Sequence, residues 1–421
     1  MSQYLYEVRA IEERYYRINR VLLKSIALWP YQQSYFSRIQ KILYVTIMIT
    51  FILVQLLPFV TMQFNRDLFL KILWSVFPTI FATIKYCFFA IQAGAVKQLL
   101  EQIRNDWSLL KSKLEIDIIE KYASNAKLFT IIVTAVYITG LFFMVVFQFW
   151  PLILNVILPL NESRSCELFV VVEYLVNKEK YLYVMLLHEF LAIYIGTTGL
   201  CSIGITFVIY TLHTCALLKI ASHRVETVFD ISMLTNPRRE YLFSQKIADV
   251  VVVHRRAIES LDYLMSNFMI LYSILIMVGV ISLSFSLFQC LLLIKIANDI
   301  TGIFLNIVAI GVHLLYMFIG NYVGQEVTDH GVNFFRATCN GLWYTAPVRT
   351  QKLILFLMQK GIKNIALTIG NLFDASLEGF TALIVLLTAR KYGSILFYVD
   401  VSDSIITNCR VYYQSDEFLS G

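Results

Sequence analysis

Long apolar runs alternate with polar connections along most of the chain. Each run contains few charges and reaches the roughly 20 residues that an α-helix needs to cross the hydrocarbon core of a bilayer. Because lipid cannot hydrogen-bond to an open backbone, every such run must be helical. The pattern therefore predicts seven transmembrane helices, at about 42–62, 68–93, 128–158, 183–217, 265–293, 300–323 and 372–399.

The composition favours an integral membrane protein over a soluble one. Hydrophobic residues make up 58% of the chain and charged residues only 15%, whereas a soluble chain carries about 25% charged residues. We therefore expect an all-α integral membrane protein, with one seven-helix domain over residues 1–399 and an atypical tail over 400–421. The seven cysteines contain no C-x-x-C pair, so neither a zinc site nor a disulfide scaffold is predicted, and no cofactor is expected. The net charge of +6 is spread over the connections, which argues against a nucleic-acid partner.

The basic residues predict the orientation of the chain in the bilayer. Connections on one side of the predicted bundle carry 25 lysines and arginines, and those on the other side carry eight. Basic residues concentrate on the cytoplasmic side of a membrane protein, so we expect a cytoplasmic N-terminus and an extracellular C-terminus. The sequon at Asn161 falls in a loop that this topology places outside, and it predicts a glycosylation site there.

The long cytoplasmic connections have a helical pattern of their own. Lys97–Asn125 and Arg238–Leu264 alternate apolar and charged positions at helical spacing. An amphipathic pattern of this kind predicts that the spanning helices continue into the cytoplasm. These extensions could also pack against other subunits.

The sequence gives no indication of an enzyme. It contains no G-x-S-x-G, P-loop, H-E-x-x-H or G-x-G-x-x-G motif, which are the common signatures of catalytic and nucleotide-binding sites. Ionisable residues inside the predicted spans are functional candidates by default. We expect Lys85 to reach toward the inner interface, and a role in gating or in an ion pathway is the alternative. His188 and Glu189, near the outer end of the fourth span, either contact a ligand or meet the lipid headgroups.

Other polar and small residues predict contacts between helices. Asn306, His313 and Asn321 of the sixth span are expected to hydrogen-bond to neighbouring helices. Gly320 and Gly324 form a pair of small residues four positions apart, which predicts close packing at the inner end of that helix.

Aromatic residues make up 14% of the chain, and many lie in the outer halves of the predicted spans. Ordinary bundle packing explains any one of them. As a set they could enclose an apolar pocket with a few polar anchors, the usual form of a small-molecule site. The members are Trp74, Phe77, Phe81, Tyr137, Phe142, Phe143 and Tyr194.

The segment from Asn321 to Ile384 resembles the insect odorant receptor family. It carries NYVGQE at 321–326, WYTAP at 343–347, LTIG at 367–370 and SLEGFT at 376–381. The outer loop at 158–188 looks like that of receptors from ants, bees and wasps, and IASHRVE at 220–226 also fits. The resemblance covers roughly residues 30–384.

This resemblance implies the tuning subunit of an odorant-gated, non-selective cation channel. Such a subunit assembles with a shared co-receptor into a heterotetramer in the plasma membrane of a sensory neuron dendrite. A small volatile odorant would bind in the outer half of the bundle. The residues that fall there are Phe77, Tyr137, Met144, Leu191, Tyr194 and Asn306.

The resemblance also implies a subunit anchor and a pore. A short cytoplasmic helix at about 341–360 would join the subunits, through Trp343, Tyr344, Leu353 and Phe356. The last span would line the pore, and Leu383 and Ile384 would form its apolar constriction.

From Val385 onward the chain departs from the family pattern. We hypothesise that the last segment is a replacement, and Arg390 and Lys391 would place positive charge near the outer pore mouth, which opposes cation entry. Three alternatives stay open: a gustatory-type channel, a G-protein-coupled chemoreceptor and a transporter. The predicted cytoplasmic N-terminus speaks against the second, and the lack of two repeated halves speaks against the third.

Overall fold

The computed structural model describes residues 12–32, 34–63, 65–110, 112–157, 168–228, 239–294, 300–362, 365, 367–369 and 373–389. Helices dominate this part of the chain. They are α1 (Arg17–Ser25), α2 (Tyr35–Leu56), α3 (Pro58–Thr61), α4 (Arg66–Ile91), α5 (Ala93–Leu109), α6 (Lys113–Ile157), α7 (Lys178–Val228), α8 (Arg239–Leu292), α9 (Ile300–Asn340), α10 (Val348–Ile362) and α11 (Leu377–Ala389). A π-helical turn at Glu12–Tyr16 precedes α1, and a 3-10 turn at Trp343–Thr345 precedes α10.

Six helical segments in the described residues are long and apolar enough to cross a membrane. They are Tyr35–Thr61, Leu68–Ile91, Lys113–Ile157, Lys178–Val228, Tyr241–Leu292 and Gly302–Asn340. These segments overlap the first six predicted spans. The seventh predicted span, 372–399, overlaps α11, and its part beyond Ala389 lies outside the described residues, as does the tail at 400–421.

Helix α7 occupies the centre of the bundle and contacts α1, α2, α4, α5, α6, α8 and α9. Small residues make this position possible, because helices in lipid associate through close backbone approach. A Cβ atom at Gly196 would lie 3.3 Å from both the Ala82 side chain on α4 and the Met48 side chain on α2. A larger residue at that position would push these helices apart.

The helices continue beyond the membrane at one end of the bundle. Helix α8 has 54 residues, so it is about 80 Å long, against a hydrocarbon core of about 30 Å. We call this end the basic end. It consists of α1, α5, α10 and the helical extensions at 113–127, 218–228, 239–264 and 324–340. The predicted helical extensions are therefore present, although the first is interrupted where α5 ends and Leu110 adopts an extended conformation.

The connection between α10 and α11 is described at residues 365, 367–369 and 373–376. It contains a two-stranded antiparallel ribbon, β1 (Thr368–Ile369) and β2 (Phe373–Asp374), which the all-α prediction did not include. A Cβ atom at Gly324 of α9 would lie 2.5 Å from the Ala375 side chain and closer still to the Ala375 carbonyl oxygen. Close packing at Gly324 is therefore confirmed, but its partner is this connection. Gly320 faces open space, so the predicted packing there was wrong.

Candidate functional site

One face of α4 lies against the interior of the bundle. Phe77, Phe81 and Lys85 recur every four residues, which places them on one side of a helix. The Phe77 ring stacks on Phe285 of α8 with centroids 5.3 Å apart. The Phe81 ring meets Tyr316 of α9 edge-on at 5.7 Å. We call Phe77, Phe81 and Lys85, with their partners Phe285 and Tyr316, the aromatic column.

The inner end of the aromatic column is a buried lysine. Lys85 is only 1% exposed. Its Nζ donates a hydrogen bond to the Leu200 carbonyl oxygen of α7 at 3.3 Å and another to the Tyr316 hydroxyl, and it lies 4.5 Å from the centre of the Tyr316 ring. The expectation that Lys85 reaches the membrane interface was wrong, because its side chain turns inward to partners on two other helices.

A second polar contact joins α6 to α7. The hydroxyl groups of Tyr137 and Thr198 form a hydrogen bond, and Thr198 in turn donates to the carbonyl oxygen of Tyr194. Two of the predicted ligand residues, Tyr137 and Tyr194, therefore lie close together on facing helices. Their polar link is partly buried between the two helices.

The other predicted ligand residues are more dispersed. Met144 is partly buried on α6, whereas Leu191 is 37% exposed on the surface of α7. Asn306 is 4% exposed, and its amide donates to Gly302 of its own helix, while its Oδ1 has no partner among the described residues. The predicted interhelical hydrogen bond of Asn306 was therefore wrong.

The interhelical hydrogen bond expected of His313 is confirmed, whereas Asn321 bonds to the connection before α11 rather than to another helix. His313 Nε2 lies 3.0 Å from the Ser282 hydroxyl of α8. Asn321 Oδ1 accepts a hydrogen bond from the backbone N–H of Ser376, just before α11. These contacts tie α9 to α8 and to the start of the last described helix.

At the end of the bundle away from the basic end, residues 168–176 fold over the helices. The Glu173 N–H donates to the Val54 carbonyl oxygen at 2.9 Å. The Phe169 N–H donates to Glu189, which is fully buried. His188 links this loop to α2, since its ring nitrogens lie 3.0 Å from the Tyr174 hydroxyl and 3.1 Å from the Thr50 hydroxyl. His188 and Glu189 thus hold the loop at 168–176 against the helices, a role that the sequence did not indicate.

The environment of Tyr174 disfavours the ionised form of its hydroxyl. Burial, with a smaller effect from the nearby Glu189 carboxyl, raises the pKa of Tyr174 to about 12. A neutral phenol can donate a hydrogen bond to His188 or accept one from it. The contact between the loop and α7 is therefore independent of tyrosine ionisation at physiological pH.

Three cavities stand out, and all lie toward the basic end. An apolar cavity of about 40 Å³ lies among α1, α4, α5, α7 and α8, next to Asn19 and Phe268. Two wider polar crevices are also present. One has a volume of about 570 Å³ and is lined by Lys219 and Arg336. The other has a volume of about 470 Å³ and is lined by Asp106 and Arg256. None of these three cavities is lined by the six predicted ligand residues.

Buried charges at the basic end are paired. Asp106 accepts a contact from His213 at 3.0 Å and lies 3.7 Å from Arg256. Arg224 forms two hydrogen bonds with the Glu115 carboxylate, at 2.6 and 3.0 Å. These ion pairs join α5, α6, α7 and α8.

The predicted anchor residues lie on α10 and the turn before it. Helix α10 buries Ile354 and Leu357 against its own chain. The predicted residues on α10 and in the turn before it are largely exposed. Their exposed fractions are 62% for Tyr344, 45% for Leu353 and 57% for Phe356, while Trp343 is partly buried.

The predicted constriction lies in α11. Ile384 is partly buried there, and the side chain of Leu383 lies outside the described residues, as do Asn161, Arg390 and Lys391. The roles of these residues stay predictions.

Phe77 and Phe81 were predicted as members of one aromatic set, but Lys85 was not joined to them. Their spacing of four residues was the signal that could have joined them. Their partners Phe285 and Tyr316 and the hydroxyl of Thr198 were missed, because contacts between distant helices leave no pattern in a single sequence.

Long apolar helices around a buried, largely aliphatic interior define a polytopic α-helical membrane protein. The sequence pattern of the family described as 7tm Odorant receptor matches residues 65–387. The chain belongs to this family, which confirms the resemblance found in the sequence. A search of curated proteins gave no match.

Two solved structures of one insect receptor share the fold. The olfactory receptor OR5 from Machilis hrabei in complex with eugenol is similar with a TM-score of 0.76 and 13% identity, over 91% of this chain and 97% of that chain. The structure described without that ligand gives a TM-score of 0.75 and 13% identity, over 94% of this chain and 100% of that chain. At this identity the likeness establishes the fold alone.

Proposed function

We propose that this chain is the tuning subunit of an odorant-gated, non-selective cation channel that binds small volatile molecules inside its helix bundle. The match to the odorant receptor family over residues 65–387 carries this proposal. The charge asymmetry of the connections supports a cytoplasmic N-terminus, with the basic end inside the cell and the loop at 168–176 outside. The plasma membrane of a sensory neuron dendrite is the expected location.

The odorant site is proposed in the outer half of the bundle. Its candidate residues are Phe77, Tyr137, Met144, Leu191, Tyr194 and Asn306. The similar Machilis receptor was solved in complex with eugenol, which supports a small organic ligand for this chain. Of the six residues, Leu191 has the weakest support, since it is 37% exposed on the bundle surface.

The subunit anchor is proposed on α10. Tyr344, Leu353 and Phe356 expose apolar surface at the basic end, where water rather than lipid would surround them. Exposed apolar patches in an aqueous environment are typical of protein–protein interfaces. We propose that this surface packs against the co-receptor and other subunits of a heterotetramer.

Gating is proposed at the last span. An odorant shifts the closed–open equilibrium only by its differential affinity for the two states. Asn321 of α9 bonds to Ser376 at the start of α11, and Gly324 packs on Ala375. Through these contacts a movement of α9 would reach Leu383 and Ile384, the proposed apolar constriction that closes by excluding water.

Expression in cells that lack endogenous receptors tests this function. We expect odorant-evoked cation currents when the chain is co-expressed with the co-receptor, and these currents should persist when G-protein signalling is inhibited. Currents that disappear with the inhibitor would favour a G-protein-coupled chemoreceptor. Responses to non-volatile tastants without the co-receptor would favour a gustatory-type channel. The same cells would show whether Asn161 is glycosylated, by a mobility shift after glycosidase treatment.

A further inference from the structure

We propose that Lys85 recognises the carboxylate of a volatile carboxylic acid, whose apolar chain lies along the aromatic column. This inference rests on the proposed odorant-receptor function and names the class of ligand. It makes Lys85 a specificity-determining residue of the binding site.

Lys85 is buried in a position where a charged group is unfavourable. Lys85 is 1% exposed within a segment that spans the membrane. A charged group that is buried without a counter-charge is strongly unfavourable, and such groups inside membrane proteins face partners or functional cavities. No described residue forms an ion pair with Lys85. Its partners are a backbone carbonyl, a phenol hydroxyl and the face of the same phenol ring.

The ammonium group of Lys85 has hydrogen-bonding capacity that the described residues do not use. A lysine ammonium has three N–H donors and no acceptor. Two of these donors are directed to Leu200 and Tyr316, and the bond to Leu200 is long at 3.3 Å. A ligand carboxylate would take the third donor and supply the missing negative charge. Charge-assisted hydrogen bonds of this kind are roughly twice as strong as neutral ones.

Apolar side chains lie next to the ammonium group of Lys85. Phe81 lies one helical turn from Lys85, and Phe77 lies two turns away. Their rings pack on Tyr316 and Phe285. From Phe77 to Lys85 the helix rises about 12 Å, at about 1.5 Å per residue. An elongated ligand with one apolar chain and one anionic end would place its chain beside these rings and its anion at Lys85.

The inference is tested with three compounds that share the same hydrocarbon chain: hexanoic acid, 1-hexanol and methyl hexanoate. We expect cells that co-express the wild-type chain and the co-receptor to respond to the acid at lower concentration than to the two neutral compounds. In Lys85→Met, the half-maximal concentration for the acid should rise about 10- to 100-fold, while that for the neutral compounds should not rise. Lys71→Met is the matched control, since it removes an exposed lysine from the same helix and should leave all three responses unchanged.

The outcomes separate this inference from the function on which it rests. If no volatile compound evokes a current from the wild-type chain, the proposed function fails. If neutral odorants evoke currents but the acid is no better than its alcohol and ester, the assignment of Lys85 is overturned. It is also overturned if Lys85→Met weakens all ligands equally. If Lys85→Met does not reach the cell surface, Lys85→Arg replaces it. Lys85→Arg keeps the positive charge and should retain the preference for the acid. The preference of the wild-type chain for the acid over its alcohol and ester decides the question in either case.

Discussion

Buried ionisable side chains have ionisable partners at the basic end but not in the aromatic column. At the basic end, Asp106 has His213 and Arg256 as partners, and Glu115 has Arg224. In the aromatic column, Lys85 has only neutral partners among the described residues. The first arrangement fixes helices to one another, because each charge is satisfied by its own chain. The second leaves Lys85 without a counter-charge among the described residues, which is why we propose an anionic ligand for it.

The largest effect is expected at the basic end. Asp106→Ala would leave the buried His213 and the partly exposed Arg256 without their common partner, and the loss of a hydrogen bond to a charged group costs about 1.5–3 kcal/mol. We expect a loss of surface expression and a lower melting temperature in detergent. Glu259→Ala is the control, since it removes an ion pair that is 55–76% exposed and should change stability by less than about 1 kcal/mol. Equal effects of the two variants would contradict the structural role of the Asp106 cluster.

A smaller effect is expected where the basic end meets α11. Gly324→Val would place side-chain atoms against the carbonyl group of Ala375, so the connection before α11 must move. Overpacking of this kind costs about 1–3 kcal/mol. We expect odorant-evoked currents to fall more than surface expression does. Gly320→Val, which points into open space, should conduct normally, and a non-conducting Gly320→Val would argue against a specific contact at Gly324.

The aromatic column offers the next comparison. Phe77→Ala removes the ring that stacks on Phe285 and should lower the sensitivity to odorants about tenfold, which corresponds to about 1.4 kcal/mol. Phe142 is 63% exposed on α6, where lipid would surround it, so Phe142→Ala should leave the dose–response curve in place. A shift with Phe142→Ala but not with Phe77→Ala would move the ligand site away from α4.

The smallest effect is expected at the outer loop. Tyr174→Phe removes the hydroxyl that bonds to His188, and the loss of one such hydrogen bond costs about 0.5–1.5 kcal/mol. Because the contact lies away from the proposed ligand, we expect a slightly lower melting temperature with an unchanged order of ligand preference. A changed order of preference in dose–response measurements would mean that the loop contributes to the site.

Much of the fold could be predicted from the sequence. The apolar runs indicate the long helices, and helical spacing after the spans indicates their extensions at the basic end. The ribbon at Thr368–Ile369 was missed because two-residue strands leave no periodic pattern. The contact of Gly324 with Ala375 joins residues about 50 positions apart and could only be predicted as close packing without a partner.

The candidate site was less predictable. Residue type and depth were enough to select Phe77, Tyr137 and Tyr194, which the structure places inside the bundle. Depth alone could not show that Leu191 points outward or that Asn306 bonds within its own helix. The environment of Lys85 depends on Leu200 and Tyr316, more than 100 residues away in sequence, and so a usual rule for lysines in membranes gave the wrong orientation.

Recordings from outside-out membrane patches test the central claim most directly, because such patches contain no cytosol. With the chain and the co-receptor co-expressed, we predict that brief pulses of hexanoic acid open cation-selective unitary currents without added nucleotide. Lys85→Met should shift the acid concentration required and leave the unitary conductance unchanged. Currents that appear only when GTP and cytosolic components are supplied would contradict a channel formed by this receptor.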